Sequence, residues 1–326
     1  MGNTTISWTD KTWNCVRGCS RVSQGCVNCY AERQALRFSR PAVDDAPYGD
    51  GNNDGDEDGR PADPFHGFVT KVNGHAAWTG KVELIESKLL EPLSWRKPCR
   101  VFVNSMSDLF HESLPDEAID RVFAVMALCP HLTFQVLTKR PERMLEYWGD
   151  LLDRATEIKV QASKLPNYEA LCVAADFMPI PYRNIWLGVS VEDHKTWDYR
   201  TAILEQVPAA FRFVSLEPQL GPVDVGPVLS RGNIHWLIQG GESGPGARPF
   251  DVQWARDTKA QCKATGTAYF LKQFGARPYE KTPSNEWNYT GNPMENDDDW
   301  FISLQDRKGG EIEEWPKDFR VREFPK

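Results

Sequence analysis

Residues 100–137 read RVFVNSMSDLFHESLPDEAIDRVFAVMALCPHLTFQVL, and their reading decides the fold. Arg100 to Asn104 and Leu132 to Leu137 are short apolar runs of strand length, and between them Ile119, Val122, Phe123 and Met126 recur at helical spacing. Pro115 suits the first turn of that helix, where its missing N–H breaks no bond, and Asp116 with Glu117 stand beside the positive end of the helix dipole. Strand, helix and strand joined in this way are the repeating unit of a parallel sheet.

The unit recurs along the chain. Lys81 to Ile85, Asn184 to Val189, Phe211 to Leu216, Ile234 to Gln239 and Ala268 to Leu271 are further apolar runs, and Thr4 to Trp8 alternates like a short first strand. Trp254 to Ala264 repeats the helical pattern before the last run. Eight strands separated by helices predict an α/β protein, a (β/α)8 TIM-barrel-like fold or partial barrel spanning residues 1–275. Residues 39–79 lose all periodicity and read as a long flexible insertion, residues 153–181 as a second, partly helical one, and residues 276–326 as an irregular, peripheral C-terminal extension. Asp50, Asn52, Asp54, Asp56 and Asp58 imitate the start of a calcium loop, but Pro61 stands where its bidentate glutamate belongs.

A chain of 326 residues with 40% apolar and 26% charged content can bury a large core. No apolar run reaches the length of a membrane span, and Met1 to Asp10 lacks the pattern of a signal peptide, so the expectation is a cytoplasmic protein with no membrane partner. Cys99, Cys129, Cys172 and Cys262 sit in apolar or helical patterns, as core thiols of a reducing compartment do. The net charge of -8 is mostly local: residues 44–58 carry seven acids and no base, and the remainder is near -1. Basic clusters at Arg96, Lys97 and Arg100, and at Lys139, Arg140 and Arg143, are solvated surface or a nucleic-acid footprint.

The stretch WNCVRGCSRVSQGCVNCY, Trp13 to Tyr30, concentrates half of the eight cysteines among glycine, serine and asparagine. That composition is a loop, with sulfur free to bind a metal or cluster. Cys26 and Cys29 form a C-x2-C pair, with Cys19 and Cys15 upstream. Four thiolates could close a zinc site, although its two pairs are usually further apart in sequence; three could hold a cubane cluster with one iron open.

The pattern N-x-x-x-G-C followed by C-x2-C-Y-A resembles the cluster loop of the spore photoproduct lyase branch of radical S-adenosylmethionine enzymes. It is closer still to a bacteriophage and prophage family described as three-cysteine-motif proteins, which carries W-N-P-x-x-G-C-x6-C-x2-C-Y-A-E. The chain repeats that pattern from Trp13 to Glu32, with Cys15 in place of proline. The resemblance implies a barrel of radical-enzyme type, with Cys19, Cys26 and Cys29 holding a 4Fe-4S cluster that binds S-adenosylmethionine. Cys15 is then a spare thiol or a fourth ligand, and a fourth ligand would close the open iron.

Barrel enzymes work at the carboxyl ends of their strands, so polar residues there are candidates. Ser105, Ser107 and Asp108 look like the serine-rich segment that contacts the methionine end of S-adenosylmethionine in the lyase relatives, and Thr138 with Lys139 look like their fourth-strand ending. Ser190 and Glu217 complete the candidate cofactor-binding set. Gly240, Gly241 and Glu242 spell the glycine motif of radical enzymes but follow the seventh expected strand, so with Lys272 they are expected on the substrate side. Two classes of function follow. One is a radical enzyme that cleaves S-adenosylmethionine reductively and abstracts hydrogen, by resemblance from a nucleic-acid base in DNA repair or modification, with an electron donor protein as partner. The other is a zinc-stabilised, noncatalytic protein that binds nucleic acid or a partner.

Overall fold

The computed structural model describes residues 4–40, 63–169, 180–290 and 300–325. Its central sheet has seven parallel strands: β1 (Lys11–Trp13), β2 (Arg100–Val103), β3 (Thr133–Thr138), β4 (Ile185–Val191), β5 (Phe211–Leu216), β6 (Trp236–Gly240) and β7 (Ala268–Gln273). They lie side by side in chain order, and β1 does not pair with β7, so the sheet is a curled half-barrel. Around it run α1 (Tyr30–Leu36), α2 (Asp116–Ala127), α3 (Pro141–Tyr147), α4 (Leu151–Ser163), α5 (His194–Leu204) and α6 (Val252–Thr265).

Successive side chains on a strand point to opposite faces, and the two faces have separate cores. Val101 and Val103 of β2, Val214 and Leu216 of β5, and Tyr269 and Leu271 of β7 face the helices. Phe102, Phe213, Trp236, Ile238 and Phe270 face inward and close on Trp8, whose ring centroid is 4.6 Å from Phe102 and 6.1 Å from Trp236. Phe102 lies on the second strand and Trp236 on the sixth, so one indole reaches both only because the sheet curls around it. Gly188 on β4 makes room, since a Cβ there would lie 2.6 Å from the Phe213 ring.

Several expectations need correction. The expected first strand, Thr4 to Trp8, is no strand; β1 begins at Lys11, and Trp8 instead plugs the floor of the half-barrel. Alternation of apolar and polar residues suits an extended segment that buries one large ring as well as it suits a strand. Of Lys81 to Ile85 only Glu83–Leu84 is strand, paired antiparallel with Val16–Arg17 outside the central sheet. The eight expected strands are therefore seven.

Within residues 39–79, Val69–Val72 and His75–Trp78 form a hairpin whose turn is Asn73-Gly74, both at positive φ, as a two-residue hairpin turn requires. It packs on Ala31 and Ala35 of α1. The acidic run and the calcium-like spacing lie outside the described residues. The 153–181 insertion opens in helix, as α4 runs on to Ser163.

The C-terminal residues are not peripheral. Trp287, Trp315 and Phe319 are buried around Phe274, and Pro278–Glu280 pairs with Phe250–Asp251 and Trp300–Phe301. Val321 and Glu323 bond to Leu271 and Tyr269 along the free edge of β7. These aromatics are spaced without any period, so a search for periodicity passes over them. Among the described residues no helix is long and apolar enough to cross a membrane.

Candidate metal centre

The cysteine loop leaves the carboxyl end of β1. Gly18 has a φ of 84°, and a Cβ there would fall 1.9 Å from the Lys81 carbonyl oxygen, so only glycine lets the loop pass. Cys15 lies in the core beside Trp13 and Val16, its thiol donating to Asn104 Oδ1 at 3.6 Å, and burial pushes that thiol far up. Cys19, Cys26 and Cys29 are partly exposed. Burial, then Asp108, raises Cys19 to about 12 against the pull of Arg140. Burial also raises Cys29, opposed by the backbone amides of Glu32 and Ala31. The neighbouring thiols add to this, Cys29 raising Cys19 and Cys26 raising Cys29. Thiols held neutral must release protons to bind metal.

Among the described residues no three His, Cys, Asp or Glu side chains converge as ligands of a single ion. A cubane spreads three thiolates over three irons, so its ligands stand apart. Three partly exposed cysteines on one loop suit that group better than a closed four-ligand site, whose fourth member, Cys15, is fully buried and bonded to Asn104. The buried Asn104 side chain also keeps its Nδ2 donor without a partner at the root of the loop.

The loop is fastened across the mouth of the half-barrel. His111 Nδ1 accepts from the Ser113 amide, which leaves its Nε2–H to donate to Ser20 Oγ at 2.9 Å. Arg140, beyond β3, donates to Ser20 Oγ at 2.7 Å and lies 3.8 Å from Cys19 Sγ. Ser23 donates to Glu192 beyond β4, and a Cβ on Gly25 would lie 2.4 Å from that carboxylate. Asn28 donates to Glu242 beyond β6 at 3.0 Å, and Tyr30 donates to the Ser105 carbonyl beyond β2. Thus one loop touches the ends of four strands.

The candidate residues divide into two groups. Ser105 donates to Asn14 and Ser107 to the Val16 carbonyl, so both brace the loop. Asp108 accepts from the Phe110 and Lys139 amides, Thr138 Oγ1 and Arg140 Nη1, which uses up its acceptor capacity. These residues hold the rim together. Lys139, Ser190, Glu217 and Lys272, by contrast, form a connected polar chain over β3, β4, β5 and β7. Lys139 Nζ donates to Ser190 Oγ at 2.8 Å, Ser190 Oγ to the Glu217 carbonyl at 3.1 Å, and Lys272 Nζ to Glu217 Oε1 at 2.6 Å.

Gly241 and Glu242 have structural work. A Cβ on Gly241 would lie 2.0 Å from the Phe274 carbonyl oxygen, whereas one on Gly240 meets nothing nearer than 3.4 Å. Glu242 is buried. Burial raises its carboxyl, but bonds from Arg248 and Asn28 outweigh this and hold it below the usual range. Glu192 is likewise held low against burial by Lys139 and Arg200.

Sequence reasoning missed His111, Arg200, Ser20, Ser23 and Asn28 as members of this network. Only the position of His111 in a loop following a strand could have marked one of them. A cleft of about 230 Å³ opens beside the loop between Val22, Lys139, Arg140, Tyr199 and Arg200. The larger groove, about 630 Å³, lies between Pro222, Trp254 and Gln261 and carries no cysteine. Of the basic clusters, Arg100 starts β2 and pairs with Asp10, at the end of the sheet opposite the mouth, and Arg143 pairs with Asp116.

No curated protein and no solved structure matches the chain. A family profile described as a protein of unknown function matches residues 3–307, nearly the whole described fold and all of the cysteine loop. The chain therefore belongs to the DUF5131 family.

Proposed function

We propose that the chain is an iron–sulfur enzyme of radical S-adenosylmethionine type, with Cys19, Cys26 and Cys29 as its cluster ligands. The observation that carries this reading is one loop with three partly exposed thiols, fastened over the carboxyl ends of a parallel half-barrel. A 4Fe-4S cluster there would supply reductive cleavage of S-adenosylmethionine and a 5'-deoxyadenosyl radical for hydrogen abstraction.

The chain's own residues would then divide the work. Arg140 orients Cys19 and Ser20, while Glu192 and Glu242 clamp the loop, so the thiols are positioned before anything binds. Lys139, Ser190, Glu217 and Lys272 present both charges and a hydroxyl at the same mouth, able to receive the carboxylate, ammonium and ribose groups of a bound cofactor. Ser105, Ser107 and Asp108 support them from behind. The substrate assigned from the resemblance is a nucleic-acid base.

Anaerobic purification and reconstitution test the reading. Brown protein containing iron and sulfide, which releases 5'-deoxyadenosine from S-adenosylmethionine under dithionite, is the expected result. Colourless protein with one zinc and no iron after reconstitution overturns it and favours a zinc-stabilised binding protein.

A further inference from the structure

The crossover from β5 to β6 is thin. Its one α-helix, Gly226–Leu229, has four residues, whereas the crossovers on either side carry α5 of eleven and α6 of fourteen. Helices cover the outer face of such a sheet, so a short one between two long ones leaves a trough. That trough is the groove of about 630 Å³, a volume typical of ligand sites. The start of α5, the crossover before its short helix and one side of α6 form its walls. Their chemistry is mixed. Val223 is buried, and the half-buried Trp254 ring crosses that of Phe250 at 5.6 Å and faces the groove beside Pro222. Asp224 on the crossover and Asp257 on α6 are exposed, and neither pairs with a cation among the described residues; Asp257 accepts from Gln253 Nε2 at 2.8 Å. No lysine or arginine lines the groove. Arg256 and Lys259, the bases nearest Asp257 in sequence, are engaged elsewhere, with Glu280 and Glu286 and with the Asp318 carbonyl.

We infer that this groove docks a basic segment of a partner protein. Lysine and arginine carry an apolar stem and a charged head, so their stems can lie along Trp254, Pro222 and Val223 while their heads meet Asp224 and Asp257. The indole face itself attracts a cation. A chain segment fits better than a free amine, because Pro222, Asp224, Asp257 and Ala260 are all exposed and a small molecule among them would stay largely wet. Two carboxylates with no cation beside them repel phosphate, which excludes nucleic acid from the groove. Nothing in this groove depends on what the cysteine loop binds.

Fluorescence anisotropy tests this with a short labelled amphipathic peptide of leucine and lysine as the probe and its leucine–glutamate counterpart as control. The lysine peptide should bind the wild type at low salt and lose affinity as salt rises, while the glutamate peptide stays free. The Asp224→Asn, Asp257→Asn double variant should bind the lysine peptide about tenfold more weakly. Ala260→Trp, which fills the groove and leaves its charge alone, should weaken binding by a similar factor. No binding by the wild type, or equal affinity in the wild type and either variant, overturns the site, because the acids elsewhere on the chain would then account for any attraction. Binding of the glutamate peptide as tightly as the lysine one overturns it too. Displacement of the peptide by spermidine at the same concentration of charge would give the groove to a free polyamine and overturn the partner. So would dimers of the wild type in sedimentation that the double variant loses, which would give it to a second copy of this chain.

Discussion

Asn28 donates its side-chain amide to Glu242 at 3.0 Å across 214 residues of chain, which ties the cysteine loop to the loop beyond β6. Arg248 completes the joint with a contact of 2.6 Å to the same carboxylate. Glu242→Ala leaves a partly buried arginine without its partner, at a cost of about 3 kcal/mol. Urea unfolding should show that loss, and reconstitution should yield less cluster because its loop is no longer clamped.

The same carboxylate has a pH signature. Its pKa is depressed in the folded protein, so its contribution is complete above the unfolded value and disappears as pH falls through the lowered one. Below about pH 4.5 the wild type should lose stability faster than Glu242→Gln, since only the wild type has this proton to take up. Parallel melting curves for the two proteins through the acid range would contradict the assignment.

The cysteines should separate cleanly. Cys19→Ala, Cys26→Ala and Cys29→Ala each abolish cluster absorbance after reconstitution. Cys15→Ala keeps it and costs about 1 kcal/mol of stability, as a small buried truncation does. Loss of the cluster in the Cys15 variant alone would place the ligands elsewhere.

Asp108 and Lys272 should behave in opposite ways. Asp108→Ala strands two amides, a hydroxyl and Arg140, so its effect is a fall in melting temperature. Lys272→Met breaks only the contact with Glu217, leaving the melting temperature nearly unchanged while weakening S-adenosylmethionine binding about tenfold in calorimetry. Unchanged affinity in Lys272→Met would remove the β7 end from the cofactor site.

The glycines beyond β6 give a steric test. Gly241→Ala should express as insoluble or strongly destabilised protein, because its new methyl meets the Phe274 carbonyl at 2.0 Å. Gly240→Ala, with 3.4 Å of room, should stay soluble. If both tolerate alanine equally in a melting experiment, the close approach does not matter.

Much of the fold was legible in the sequence. Six of the seven central strands lie where apolar runs of strand length predict them, because buried parallel strands write uninterrupted apolar segments. Three-residue β1 carries too short a signal, and its neighbour Trp8 imitates a strand. Asn73-Gly74 was a readable hairpin turn hidden by the polar residues around it. Of the candidate site, the cysteine loop and the row of strand endings that it meets were legible. What could not be read was the division of labour: nothing in the type of Asp108 or Ser107 tells that their acceptors and donors are spent inside the rim. Partners such as Ser23 and Glu192 are 169 residues apart, and only the folded geometry joins them.

Trp8 and Phe324, far apart in sequence, meet in the same apolar floor, Phe324 lying tilted against Trp236 at 5.4 Å and receiving the Arg100 guanidinium at 3.8 Å. During synthesis the floor has no complete lining until residue 324 has emerged, so Trp236 and Phe270 wait without their last ring. Closure at so great a sequence separation is slow. Until then Trp236 and Phe270 offer an uncovered apolar edge to other chains.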